Sequence, residues 1–198
     1  MGLALDYTDG QTPIDEEEKE GLRIKSISTK GELDEFEQHN IEEALQWVYS
    51  RKLNATTVFS EKFICNLHNR MFGEVWTWAG KYRKPEKNLG IPFHRIPVEA
   101  RKLCDDATTW CENDSYPPDE QAIRFKHRIV SIHCFSNGNG RHSRLMADII
   151  ASKVFGRGEF SWGAGNPSQK SDARQLYLSA VKAADRGDFE PLIEFARS

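Results

Sequence analysis

The chain has 198 residues, 38% of them hydrophobic, with 27 basic and 30 acidic side chains and a formal net charge of -3. That length supports one sizeable core. The mildly acidic balance argues against nucleic acid as the main partner, and no apolar run approaches the roughly 20 residues of a membrane span. The start, MGLALDYTDG, lacks the basic and apolar regions of a signal peptide, so the expected location is cytoplasmic. Cys65, Cys104, Cys111 and Cys134 show no C-x-x-C spacing and are expected as free thiols.

Residues 1–27 are polar and acidic, with DEEEKEG at 15–21, and are expected to form an N-terminal arm. The remainder, 28–198, is expected to be a single domain. Thr29-Lys30-Gly31-Glu32 has the Thr-x-x-Glu form of a capping box, in which hydroxyl and carboxylate satisfy free amides at a helix start. Leu33, Phe36, Asn40, Ile41, Ala44, Leu45 and Val48 then recur at helical spacing. A second helical stripe holds Phe59, Phe63, Ile64, Leu67, His68 and Met71, and ends near Gly73. WTWAGKYR supplies aromatics and a glycine at a turn. KPEKNLGIPFHRIP, with Pro85, Gly90, Pro92 and Pro97, excludes a long helix and is expected to be a loop or short hairpin.

Helical spacing resumes from about Val98 to Glu112, breaks at Tyr116-Pro117-Pro118 and restarts with Asp119 as N-cap. Ala122, Phe125, Ile129 and Ile132 form an apolar stripe leading into His133, and Leu145, Met146, Ile149, Ile150 and Val154 mark another helix. A last helical region, from about Ser168, turns at Arg186-Gly187-Asp188 into PLIEFARS. The fold class expected is all-α, with six or seven helices and at most one hairpin.

Between two of these stripes lies HCFSNGNGRHSR, residues 133–144. Asn-Gly is a hairpin signal, but a hairpin needs flanking strands, and both flanks have helical periodicity. Helix, loop, helix is therefore the expected arrangement, with glycines where the backbone turns sharply or approaches a ligand. If Asn139 caps the second helix, the amides of Gly140, Arg141 and His142 are unpaired at an end carrying roughly half a positive charge, which favours anions. Arg141 and Arg144 oppose that dipole but, three residues apart, can converge on phosphates. Arginines on helix surfaces are common, so this physics favours an anion site without requiring one. His133 is either a hydrogen-bonded structural histidine or a general base, its unperturbed pKa being about 6.5. His127, His133 and His142 lack the i, i+4 spacing of a helical zinc pair. Trp76, Trp78, Trp110 and Trp162 are candidates for nucleobase stacking or, more commonly, loop and core anchors, with Trp162 the most exposed to the first role.

The stretch resembles the signature of the Fic/Doc (Fido) proteins, H-x-F-x-[DE]-G-N-G-R-x-x-R, departing at one fixed position, Asn137. WTWAGKYR is similar to the family's aromatic-Ala-Gly-x-Tyr-Arg element, and YLSAVKAADRGDFEPLIEF resembles its closing helices. With TPIDEEEKEGL and GELDEFEQHNIEEA, the whole chain looks most like the bacterial branch called mobile mystery protein B. The resemblance implies a helical bundle with a small β-hairpin flap near residues 84–97, and transfer of AMP from ATP to a Ser, Thr or Tyr hydroxyl of a target protein. His133 would be the general base. Gly138, Asn139, Gly140, Arg141 and Arg144 would hold the nucleotide's phosphates. Asn137 would stand where the family's acidic residue holds Mg2+; an amide brings no charge to a hard cation, so a catalytically idle nucleotide-binding module is the alternative.

The resemblance also implies restraint, by a regulatory or antitoxin-like partner or by a glutamate in a [ST]-x-x-x-E-[GN] helix that pairs with the motif's second arginine, here Arg144. Thr108 to Asn113 fits those letters but follows the flap and is read as accidental. Glu35 or Glu37 in the first helix is the other acidic residue expected within reach of Arg144, a solvated acidic face being its ordinary role.

Overall fold

The structure, a computed structural model, describes residues 19–164 and 173–198. Among these are eight α-helices: α1 (Lys30–Tyr49), α2 (Ala55–Val58), α3 (Glu61–Phe72), α4 (Ile96–Glu112), α5 (Pro118–Ile132), α6 (Asn139–Ile149), α7 (Ala173–Ala184) and α8 (Glu190–Arg197). The all-α expectation holds. The start expected for the last helical region, at Ser168, lies outside the described residues.

Helix α1 opens on the expected capping box: Glu32 N–H donates to Thr29 Oγ1 at 3.3 Å, and Thr29 N–H to Glu32 Oε2 at 3.1 Å. Its inward face is the expected one except at Phe36, with Ile41 and Leu45 half-buried against the core. Leu33, Glu37, Asn40, Ala44 and Val48 are buried, whereas Phe36 is exposed. Helix α1 packs mainly on α3, whose Phe63, Ile64, Leu67, His68, Met71 and Phe72 all face inward. The segment before α1 is fastened to the same core. Leu22 is buried and bridges Trp76, and Arg23 N–H donates to the Val75 carbonyl at 2.8 Å.

Helix α5 runs through the centre, with Ala122, Ile123, Phe125, Ile129 and Ile132 buried between α4 and α6. It begins at Pro118, not after Asp119, because a proline in the first turn gives up no hydrogen bond. Helix α6 continues into a wider turn at Ile150–Val154, where Phe155 N–H reaches back five residues to the Ile150 carbonyl at 3.2 Å. Helices α7 and α8 pair at the chain's end.

No β-hairpin forms over 84–97; among the described residues the structure has no sheet. Residues 84–92 are bends and irregular chain, Phe93–Arg95 is one turn of 3₁₀ helix, and α4 already begins at Ile96. The physical reason is that the segment's carbonyls are taken by a side chain instead of a partner strand. Arg83, buried, donates from Nη1 to the Pro85 carbonyl (2.9 Å) and from Nη2 to the Ile91 carbonyl (2.5 Å). Pro85 and Pro92 also remove two of the amides a ladder would need.

Candidate active site

The site is the turn joining α5 to α6. Helix α5 stops because His133 adopts a left-handed conformation (φ 58°, ψ 60°), a strained position for a residue with a Cβ, costing about 1–2 kcal/mol. The His133 amide still reaches the Ile129 carbonyl at 3.2 Å. Cys134 and Phe135 then drop into the core. Gly138 makes a second left-handed turn (φ 75°), and a Cβ there would lie 2.6 Å from the Phe72 ring, so glycine is required on both counts.

Asn139 is not the cap of α6 but its first residue, with Gly138 in the cap position. Its buried side chain closes the loop. The amide oxygen accepts from Phe135 N–H at 3.0 Å, and the amide nitrogen donates to the Phe135 carbonyl at 2.7 Å. This reciprocal pair satisfies a backbone donor and acceptor that the loop has carried away from water. The unpaired amides of the helix start are shifted by one residue from expectation, since His142 N–H donates to the Gly138 carbonyl at 2.9 Å. The N–H groups at 139–141 therefore open the helix without a side-chain cap, at its positive end. Nothing lies within 4 Å of where a Gly140 Cβ would be, so that glycine leaves open space there.

The two arginines do not share partners. Arg141 lies across the Phe72 ring, 4.8 Å from its centroid, and its Nη1 donates to Glu37 Oε2 at 2.6 Å. Arg144 is exposed, and its Nε makes a long contact of 3.5 Å with the Gly140 carbonyl. Among the described residues no carboxylate forms an ion pair with Arg144. Glu37 does reach the motif, as the sequence allowed, but it meets the first arginine and not the second; Glu35 and Glu112 are exposed.

His133 is 5% exposed. Burial pushes its imidazole down to about 4, helped by the nearby Arg83 guanidinium and Lys87, and opposed by a hydrogen bond to the Val130 carbonyl. The ring is therefore neutral near pH 7, the form a proton acceptor needs. Arg83 Nε donates to the His133 carbonyl at 2.7 Å, so one guanidinium holds both the His133 backbone and the segment that covers it. That cover is close: a Cβ on Gly90, whose φ is 91°, would lie 2.3 Å from the His133 Cβ.

Beneath the loop, His68 was legible only as one position in an apolar stripe. Its Nδ1 accepts from Gly80 N–H at 3.0 Å, which leaves the proton on Nε2, facing the Asn137 carbonyl at 3.0 Å. Burial holds His68 neutral, its pKa well below the usual value, and its ring stacks on Phe135 at 3.7 Å. His142, buried and pushed down to about 4, lies edge-on to Phe135 and faces the Ile64 carbonyl at 3.1 Å. These two histidines support the loop. Trp162 is also an anchor: its indole N–H donates to the Asp148 carboxylate at 3.1 Å, and its ring packs on Phe160. Trp76 is fully buried beneath Trp78, and Trp110 packs edge-on to Tyr116.

Asn137 fits a metal poorly. Its side-chain oxygen accepts from Gly138 N–H at 2.6 Å, within the loop itself. Among the described residues no group of three His, Cys, Asp or Glu side chains is placed to hold an ion. The donor set is thus neutral and turned to the backbone, and hard divalent cations bound through few protein ligands rely on carboxylates.

A helical domain with a neutral histidine on the loop that leads into an uncapped, arginine-bearing helix start has the chemistry to accept phosphate groups near a proton acceptor. Residues 58–151 match the model of the Fic/DOC family. It is similar to the protein adenylyltransferase Fic of Aedes aegypti, 24% identical over 170 residues, covering 81% of this chain and 32% of the relative. The corresponding Nematostella vectensis protein is 25% identical over 176 residues, covering 86% and 39%. The chain thus spans between about a third and two-fifths of the length of these curated relatives. Among solved structures, the fold is shared with the N-terminal Fic domain of Bep8 from Bartonella sp. 1-1C (TM-score 0.68, 14% identity, 88% of this chain and 89% of that one). It is also shared with BepC of Bartonella tribocorum with bound AMPPNP (TM-score 0.66, 15% identity, 92% and 97%).

Proposed function

We propose that the protein transfers AMP from ATP to a serine, threonine or tyrosine hydroxyl of a target protein, in the bacterial cytoplasm as the sequence resemblance implies. The observation that supports this reading is that His133, neutral and strained into a left-handed turn, begins the short loop that leads into the uncapped start of α6. In this reading His133 takes the hydroxyl proton, the oxygen attacks the α-phosphorus, and the bond to pyrophosphate breaks. The amides at 139–141, with Gly138 and Gly140 leaving the backbone open, cradle the phosphates. Arg141 and Arg144 neutralise the outer groups. Asn139 serves from within the loop, by holding the cradle closed. The relatives' names and the AMPPNP-bound neighbour support the nucleotide and the chemistry.

Because Asn137 is committed to the Gly138 amide, no step is assigned to a protein-held Mg2+. This observation also favours the second reading, a nucleotide-binding module without turnover, which a regulatory partner would read. One experiment separates them: purified protein with α-labelled or γ-labelled ATP and Mg2+, comparing wild type, His133→Ala and Asn137→Asp. Transfer of α-label by wild type, lost in His133→Ala and increased in Asn137→Asp, is the expected result. Equal silence in all three refutes the transferase reading, and γ-label transfer replaces it with phosphate transfer.

A further inference from the structure

Glu37 occupies a place on α1 where the spacing of Leu33, Asn40, Ala44 and Val48 calls for an apolar side chain. It is 3% exposed, and both of its carboxylate oxygens are used. Oε1 accepts the indole N–H of the fully buried Trp76 at 2.6 Å, and Oε2 accepts Arg141 Nη1 at 2.6 Å. Trp76 is itself held by the antiparallel bridge to Leu22 and by stacking against Trp78, 4.9 Å between centroids. The Phe72 ring lies under the Arg141 guanidinium and also limits Gly138.

Arg141 is therefore gripped from two sides while much of its side chain stays open to solvent. A guanidinium has five N–H donors in a rigid plane; anchoring one nitrogen and one face fixes where the others point. An arginine that need not be ordered on binding loses less entropy when a ligand arrives. A carboxylate placed merely to cancel the arginine would not need an indole N–H to fix its other oxygen.

We propose that Glu37, oriented by Trp76, is a positioning residue that presents Arg141 to the phosphates of the bound nucleotide. The proposal rests on the nucleotide-binding part of the function above. It assigns the outer wall of the site to α1 and the Trp76 turn, outside the signature loop.

The test is titration of ATP into wild type, Glu37→Gln, Trp76→Phe, Arg141→Ala and the double variant Glu37→Gln/Arg141→Ala, with thermal melting to show that each is folded. Glu37→Gln keeps shape and hydrogen bonding but removes the charge; Trp76→Phe removes only the N–H. The expected result is weakening on the order of tenfold in Glu37→Gln, the size of one lost charge-assisted hydrogen bond, and a smaller loss in Trp76→Phe. The double variant should be no weaker than Arg141→Ala alone, because Glu37 acts through Arg141. Where turnover is measured, KM rises with little change in kcat. Additive losses in the double variant overturn the proposal in favour of a general structural role. Tighter ATP binding in Glu37→Gln overturns it in favour of restraint. Wild type that binds ATP without transferring AMP defeats the transferase reading while this cycle still decides the role of Glu37; wild type that binds no nucleotide defeats both.

Discussion

Replacing Asn139 by alanine separates the two roles the residue could have, ligand contact or loop closure. The side chain spans the Phe135 amide and carbonyl with bonds of 3.0 and 2.7 Å, all in the protein interior. Alanine leaves both backbone groups without a partner, and each buried unsatisfied group costs about 1–3 kcal/mol. The better helix propensity of alanine returns roughly 0.5 kcal/mol. The net expectation is a loss of about 3 kcal/mol, which for a chain of this size lowers Tm by about 6–12 °C. Urea unfolding followed by circular dichroism, with calorimetry for Tm, measures it. Asn139→Asp should be no better, since it keeps the acceptor for Phe135 N–H but sets a second oxygen against the Phe135 carbonyl. A melting temperature within about 2 °C of wild type, combined with lost ATP binding, would refute the loop-closing role and make the side chain a ligand contact.

Gly138→Ala should destabilise by about 2–4 kcal/mol, from the left-handed φ and the clash with Phe72, whereas Gly140→Ala should be neutral or stabilising in unfolding and weaken only ATP binding. Equal unfolding midpoints for the two variants would contradict this. His133 and His142 sit near 4 in the folded chain against about 6.5 unfolded, and His68 lies well below its usual value, so the unfolded chain binds more protons between those limits. Their contribution to stability is complete above pH 6.5 and is lost as pH falls through 4; Tm read at pH 7.5, 5.5 and 4.5 should fall in that order, and a rise on acidification would defeat the assignment. Lys126 is fully buried, and burial together with the nearby Arg144 pushes its amine down to about 7, while it donates to Tyr177 Oη at 2.6 Å. Lys126→Met should therefore raise Tm more at pH 6, where the wild-type amine is charged, than at pH 9; an equal change at both would show that charge burial is not the cause.

The helices were legible because their stripes are long. The pattern from Phe59 to Met71 and the one from Ala122 to Ile132 are both buried as their spacing implies, and the Thr29–Glu32 box forms with both of its hydrogen bonds. On α1 the expected stripe faces inward except at Phe36, whose place on the seam is taken by Glu37. The cue was present: Glu37 stands four residues from Leu33 and three from Asn40, a carboxylate on the inward seam. The flap misled because hairpins and side-chain clasps use the same Pro and Gly punctuation, and only tertiary placement of Arg83 distinguishes them. The signature's residues were found by their types, yet their division of labour was hidden. Asn139 faces inward, Arg141 and Arg144 diverge, and His68 turns an apolar position into a bridge between Gly80 and Asn137. Such roles depend on which side of a turn a side chain leaves, and two consecutive left-handed sites, His133 and Gly138, decide that here.

The clasp at Arg83 has a consequence for how the cover over His133 can come away. A strand ladder frays rung by rung from its free end, passing through partly open forms. Here the Pro85, Ile91 and His133 carbonyls all accept from one guanidinium, so the segment and the His133 backbone are coupled through a single side chain, beside backbone bonds from Arg83 N–H to the Cys134 carbonyl and from Ile91 N–H to the Ile132 carbonyl. Loosening that shared clasp would therefore weaken the cover and hydrate the imidazole together, lifting the burial that holds the His133 pKa down.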